Sequence, residues 1–375
     1  MAKKSYIGVD DVARKIKRWY YGVDNVARKV KKGYIGVGGV ARPFFTSGEI
    51  AQYGAITSLS VARTMLGAAS VGDYALFAGG RKSDSGTQQT NQVDAYSSSL
   101  NRTSPTALNT VRQGLVGVSF GEHALFAGGV SGSARVTDVD SYNASLTRTS
   151  EQSLSSKRNI LAGGRVGGYA LFAGGLDGNN PVSTVDKFDS NLNRSSASSL
   201  SEARQSLAAA NAGDSLLFAG GYDGSDYSAV VDKFDSTLTR STAMSLSVAR
   251  EDLAGASAGS YALFAGGAND DDVSKVVDVY DSTGTKITST NLGVARTSLA
   301  GASIDDFALF GGGYTSDDES AYVEVFDSSL VRVGGYGLSA ARMQLSATKT
   351  GNYVVFAGGS IGTKFSSVAD AFVLA

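Results

Sequence analysis

Apolar residues in this chain come in short bursts, and none of the bursts keeps a helical period. Ala75-Leu76-Phe77-Ala78 is closed by Gly79-Gly80, and the same block returns with its Phe at Phe126, Phe172, Phe218, Phe264, Phe310 and Phe356. About 15 residues further on, an acid stands two positions before an aromatic: Asp94/Tyr96, Asp140/Tyr142, Asp186/Phe188, Asp232/Phe234, Asp278/Tyr280, Glu324/Phe326 and Asp370/Phe372. Short apolar or alternating runs bounded by Gly, Asp and Ser predict strands. In the fourth unit the pattern predicts strand a at 207–210, strand b at 216–219, strand c at 230–234 and strand d near 238–240.

The period then decides the architecture. An Arg ending Leu-Ser-x-Ala-Arg or a close variant precedes each strand a, at Arg63, Arg112, Arg158, Arg204, Arg250, Arg296 and Arg342. The acid and its aromatic repeat every 46 residues throughout, whereas the first Phe-to-Phe step is 49, so three extra residues fall between Gly80 and Asp94. Four antiparallel strands taken seven times predict an all-β fold, a seven-bladed propeller over 46–375. Strand a is made of small residues, as blades converging on an axis require, and the large side chains sit on strands b and c. The chain ends soon after the seventh strand c, so residues 50–57 are expected to supply the missing outer strand by pairing with 369–374, which would leave no open edge.

Residues 1–45 repeat differently, with period 14: Tyr6-Ile7-Gly8-Val9, Tyr20-Tyr21-Gly22-Val23 and Tyr34-Ile35-Gly36-Val37 are each followed, two residues on, by Val-Ala-Arg. The intervening pairs Asp10-Asp11, Asp24-Asn25 and Gly38-Gly39 suit two-residue hairpin turns. Isolated hairpins bury too little to stand alone. This module is therefore expected to attach to a partner or to copies of itself, through Tyr6, Arg14, Lys15, Tyr20, Arg28, Lys29, Tyr34 and Arg42.

Charge separates the two parts. The whole chain has 34 basic and 35 acidic residues, but residues 1–45 carry a net +8 and the remainder −9. The basic residues recur in step with the hairpins, which reads as a docking strip more readily than as a nucleic-acid surface. There is no Cys and one His, which excludes disulfides, thiolate metal sites and a Cys nucleophile. The first residues lack the apolar stretch of a secretory signal.

Arg, an apolar strand ending in Gly-Gly, then acid-x-aromatic, is an order that resembles the kelch repeat, over residues 50–375. The outer strand departs from that family, with Arg102, Arg148, Arg194, Arg240, Lys286 and Arg332 where a Trp is usual; their methylenes are expected to cover the neighbouring blade. The copper site of galactose-oxidase-like kelch enzymes needs Cys and further His, so no cofactor is expected. The N-terminal segments are similar to Tyr-Ile-Gly-Val-x-x-Val-Ala-Arg-Lys repeats of virion and tail-associated proteins of phages and prophages, a resemblance that implies location more than mechanism.

Candidate sites follow from these frames. The seven Arg and seven acids read as repeated ion pairs that lock neighbouring blades together, in preference to an anion-binding ring. His123 occupies a slot held by Tyr in other units, at Tyr74, Tyr169, Tyr261 and Tyr353, and reads as packing. Asp270-Asp271-Asp272 could ligate calcium but lacks the alternate spacing of a calcium loop, and reads as a solvated run. The b–c loops vary most, and loops on a rigid scaffold carry recognition; Tyr222, Asp223, Asp226, Tyr227, Tyr314, Asp317 and Asp318 combine aromatic faces with polar groups as sugar binding requires. The expected protein is a non-enzymatic virion component, synthesised in a host cytoplasm and homo-oligomeric in the assembly. Its hairpins would anchor to other virion proteins, and its propeller would bind a host-surface glycan or protein. The alternatives are a structural decoration protein and a propeller glycan hydrolase with carboxylates from separate blades.

Overall fold

Seven four-stranded antiparallel sheets follow one another along the chain, six of them with their strands in sequence order from the inside out and the seventh with an outer strand taken from the N-terminal side. The computed structural model describes residues 48–374 except 83–87 and 271, together with backbone strands within the first 47 residues. No helix occurs among the described residues. The architecture is that of an all-β, seven-bladed propeller. The chain divides into two compact units, Met1–Ala51 with Val373–Ala375, and Gln52–Phe372.

Blade 4 serves as the pattern: strand a is Ala208–Ala212, b is Ser215–Ala219, c is Val231–Phe234 and d is Arg240–Thr242. These bounds agree with the expected ones to within two residues at every end, longer at some and shorter at others. Leu207 stands outside the sheet, in the connector, where its side chain packs beneath Gly174 of the preceding blade. The seventh sheet draws strands a, b and c from Ser346–Thr350, Tyr353–Ala357 and Ala369–Leu374, and its outer strand from Ile50–Ile56.

Each blade shows an aliphatic face to the next blade and an aromatic face to the one before. Between blades 1 and 2, Ala69, Leu76 and Val93 meet Phe126 and Tyr142. The same arrangement joins blade 7 to blade 1, with Val355, Ala369 and Ala371 against Phe77 and Tyr96. Within a blade the two aromatics meet edge to face, as Phe77 and Tyr96 do at 5.9 Å, a geometry favoured by the ring quadrupoles. Inner strands are small because their neighbours come close: a Cβ on Gly255 would lie 2.3 Å from the Ala209 carbonyl oxygen.

A second circle runs through the backbone at the entry to strand a. Met65 N–H donates to Gln344 O, and Gly114, Ile160, Ser206, Asp252, Ser298 and Gln344 each donate to the equivalent carbonyl of the preceding blade, at 2.9–3.3 Å. The seven bonds close on themselves. All seven residues have positive φ, from 46° to 62°, a conformation that costs a β-branched residue such as Ile160 most. The closed hydrogen-bond ring holds them there.

The N-terminal part contains three hairpins. Tyr6–Val9 pairs with Val12–Lys15, Tyr20–Val23 with Val26–Lys29, and Lys32–Val37 with Val40–Thr46. Register sets Tyr6 opposite Lys15, Tyr20 opposite Lys29, Ile7 opposite Arg14, Tyr21 opposite Arg28 and Ile35 opposite Arg42. The side chains of the eight proposed attachment residues lie outside the described ones.

Candidate functional site

Two features of the propeller carry chemistry: the buried arginines and the loops at the b–c end. Arg63, Arg112, Arg158, Arg204, Arg250, Arg296 and Arg342 are all fully buried. Each guanidinium bonds the acid of its own blade, as in Arg204–Asp232 and Arg158–Asp186 at 2.6 Å and Arg63–Asp94 at 2.9 Å. Glu324 fills the acid's place opposite Arg296. Each also donates to the carbonyl of its blade's strand b Phe, for example Arg204 to Phe218 O. Burial pulls every one of these guanidinium pKa values down, Arg296 to about 10, while in most of them the paired carboxylate opposes the shift.

The ion pair itself is internal to a blade, which differs from an inter-blade lock. The link between blades comes from the peptide of the same residue. Arg204 N–H donates to Val182 O and its carbonyl accepts from Gly175 N–H, both in blade 3, while its side chain serves blade 4. The Gly-Gly doublet exists to allow this approach. Gly174 and Gly175 have φ of 66° and 100°, and a Cβ on Gly174 would stand 2.6 Å from the Arg204 carbonyl oxygen.

The outer-strand cations take the acid's second oxygen. Arg102, Arg148, Arg194 and Arg240 reach Asp94, Asp140, Asp186 and Asp232 at 2.7–3.0 Å, and Lys286 and Arg332 stand 3.9 Å from Asp278 and Glu324. The expectation of methylene packing alone missed this charge role. The acid and the cation are eight residues apart across the c–d turn, and only the strand register brings them together. With both oxygens engaged and every inner Arg enclosed, the arginines form no open anion ring. They hold the connector that crosses from one blade to the next: Asp94 also accepts from Ser60 N–H, and Tyr96 O–H donates to Thr57 O.

The loop residues fall into two groups on different blades. In blade 4, Tyr222 bridges Tyr227, their rings 5.4 Å apart and tilted by 59°. Asp223 accepts from Ser225 and Asp226 N–H at 2.7 Å, bonds that hold its carboxyl below the usual range. Tyr227 O–H donates to Asp270 of blade 5 at 3.0 Å, and this bond raises its pKa. In blade 6, Thr315 closes a tight turn over Asp317 and Asp318, and Asp318 accepts from Glu319 N–H. Tyr314 packs against this turn, with its hydroxyl 3.5 Å from Asp317 O. Asp226, Asp317 and Asp318 are exposed and the tyrosines half-buried. Thus Tyr222, Asp223, Asp226 and Tyr227 come together with Asp270, a residue the sequence reading assigned to solvent; Tyr314, Asp317 and Asp318 form a separate group. Asp271 lies outside the described residues.

His123 begins strand b of blade 2, half-buried and paired with Asn143 and Phe120 in the sheet. No protein-family model matches the chain, and no curated protein matches it in sequence.

Proposed function

We propose that this protein is a non-enzymatic recognition module of a virion, kelch-like in its propeller, which binds a host-surface glycan through the b–c loop face of blades 4 and 5. The observation that supports this best is the Tyr222–Tyr227 pair with the Asp270 carboxylate bonded to it, and Asp223 and the exposed Asp226 in the turn between the two tyrosines. Aromatic faces take the apolar side of a sugar ring, and carboxylates accept from its hydroxyls. The loop is stiffened by its own turn bonds, so little order would have to be gained on binding. The N-terminal hairpins are read as the attachment segment to other virion proteins on their resemblance to phage repeats. Many copies on one particle would convert weak single-site binding into firm adhesion.

The test is binding of the full chain to host cell-wall glycan on a sensor surface. Tyr222→Ala/Tyr227→Ala is expected to lower affinity at least about tenfold, the loss of two stacking contacts, with the thermal melt kept. Equal binding by this folded variant would refute the assignment to blade 4.

A further inference from the structure

The central channel ends, on the side of the a–b turns, in a cavity of about 270 Å³. The fourth residue of each inner strand lines it. In five blades that residue is Ser or Asn; in blades 3 and 7 it is Arg165 and Lys349, both exposed.

The polar residues have a structural task. The inner edge of strand a has no neighbour in its own sheet, and its N–H groups need acceptors. The next blade supplies them: Ser70 N–H donates to Ser119 Oγ at 2.7 Å, Asn211 N–H to Ser257 Oγ at 3.1 Å and Ser257 N–H to Ser303 Oγ at 2.7 Å. After Ser119 and after Ser303 the series stops, because the next position holds Arg165 or Lys349, which have no acceptor. The N–H groups of Ser119 and Ser303, and those of Arg165 and Lys349 themselves, meet no acceptor among the described residues. Among the described residues neither Arg165 nor Lys349 forms an ion pair, and no acid lines the cavity. The acids of the a–b turns, Asp73, Glu122, Asp214, Asp305 and Asp306, stand outside the lining. A propeller that is otherwise acidic therefore gathers two cations, and the unpaired N–H groups of Ser119, Arg165, Ser303 and Lys349, around one small space.

We propose that this mouth of the channel binds a phosphate group, with Arg165 and Lys349 as its charged ligands and the Ser119 and Ser303 amides as further donors. Phosphate fits better than carboxylate because the donors come from blades 3 and 7, on well-separated parts of the ring. A tetrahedral oxyanion accepts from several directions, whereas a carboxylate presents one edge. The site lies at the opposite end of the channel from the variable loops and does not depend on their ligand.

The experiment is calorimetric titration of the full chain with inorganic phosphate and, separately, with dimethyl phosphate, at low ionic strength. Saturable binding of inorganic phosphate is expected. Binding of both probes assigns the site to phosphodiesters as well, and binding of inorganic phosphate alone assigns it to free phosphate or a monoester; binding of neither overturns the proposal. Arg165→Ser/Lys349→Ser installs the residue of the other blades and restores the missing acceptors, so it should melt no lower than the parent while losing at least about tenfold in phosphate affinity. Arg165→Lys, which keeps the charge, should retain most of the affinity and guards against a folding artefact. Undiminished binding by the folded double variant would also overturn the proposal.

Discussion

Arg204 gives its guanidinium to one blade and its peptide to another, and this division makes it more sensitive to replacement than the cation it faces across Asp232. Arg204→Met would leave a fully buried carboxylate without its inner partner. Such losses cost about 3–5 kcal/mol, which urea unfolding should register as a lower midpoint with little change in slope. Arg240, on the same carboxylate but 29% exposed, is screened by water, and Arg240→Ala should cost no more than about 1 kcal/mol. The pairs fix geometry more than they add net stability, since the Nε atoms of Arg63, Arg112, Arg158, Arg204, Arg296 and Arg342 are buried without an acceptor. Exposed acids in the c–d turns contribute to the response to pH. Asp189 is held below its ordinary 3.8 first by the Asn193 N–H, and Asp235 and Asp281 first by the Thr237 and Thr283 hydroxyls. A carboxylate whose pKa is lower in the folded state contributes stability above the unfolded value and loses it as pH falls through the folded one. The melting temperature should therefore drop as pH falls below about 4, and Asp189→Asn/Asp235→Asn/Asp281→Asn should flatten that part of the profile.

At the scale of the element, the connector between blades is the vulnerable part. Gly221 has φ of 110°, and a Cβ there would stand 2.5 Å from the Gln205 carbonyl oxygen. Gly221→Ala should destabilise by at least about 1–3 kcal/mol, measurable in the same urea series, whereas Gly178→Ala, where a Cβ meets nothing within 4 Å, should cost less. The blades were legible in sequence because each landmark has one physical task repeated seven times: the Arg needs its acid, the Gly doublet makes room for the Arg carbonyl, and small residues fit the converging edge. Strand ends were less legible, since Leu207 is apolar in either place. The circle of left-handed residues left no trace, because Met65, Ile160, Asp252 and Gln344 share no chemistry and owe their conformation to backbone bonds between blades. The loop site was legible in part. Tyr222 and Tyr227 are near in sequence, but Asp270 joins them only through the stacking of blade 5 beside blade 4. Arg165 and Lys349 look like ordinary surface charges until the register shows which serines they replace.

For the whole molecule, continuity of the seventh sheet depends on residues from both ends of the chain. Removing Ile50–Ile56 would strip the outer strand from Ala369–Leu374 and expose a sheet edge; the shortened protein should lose its single cooperative melt in calorimetry, or aggregate. The closed ring of backbone hydrogen bonds has an electrical consequence of its own. Its seven peptide dipoles lie head to tail around a circle, so their in-plane components cancel and leave no net moment across the pore. The charge that lines the pore then comes from the few side chains that break the sevenfold pattern. Among the residues that line it, those are Asp252 at one end and Arg165 with Lys349 at the other. The charge lining the pore itself is thus negative at one end and positive at the other, although the turns around the positive end carry acids.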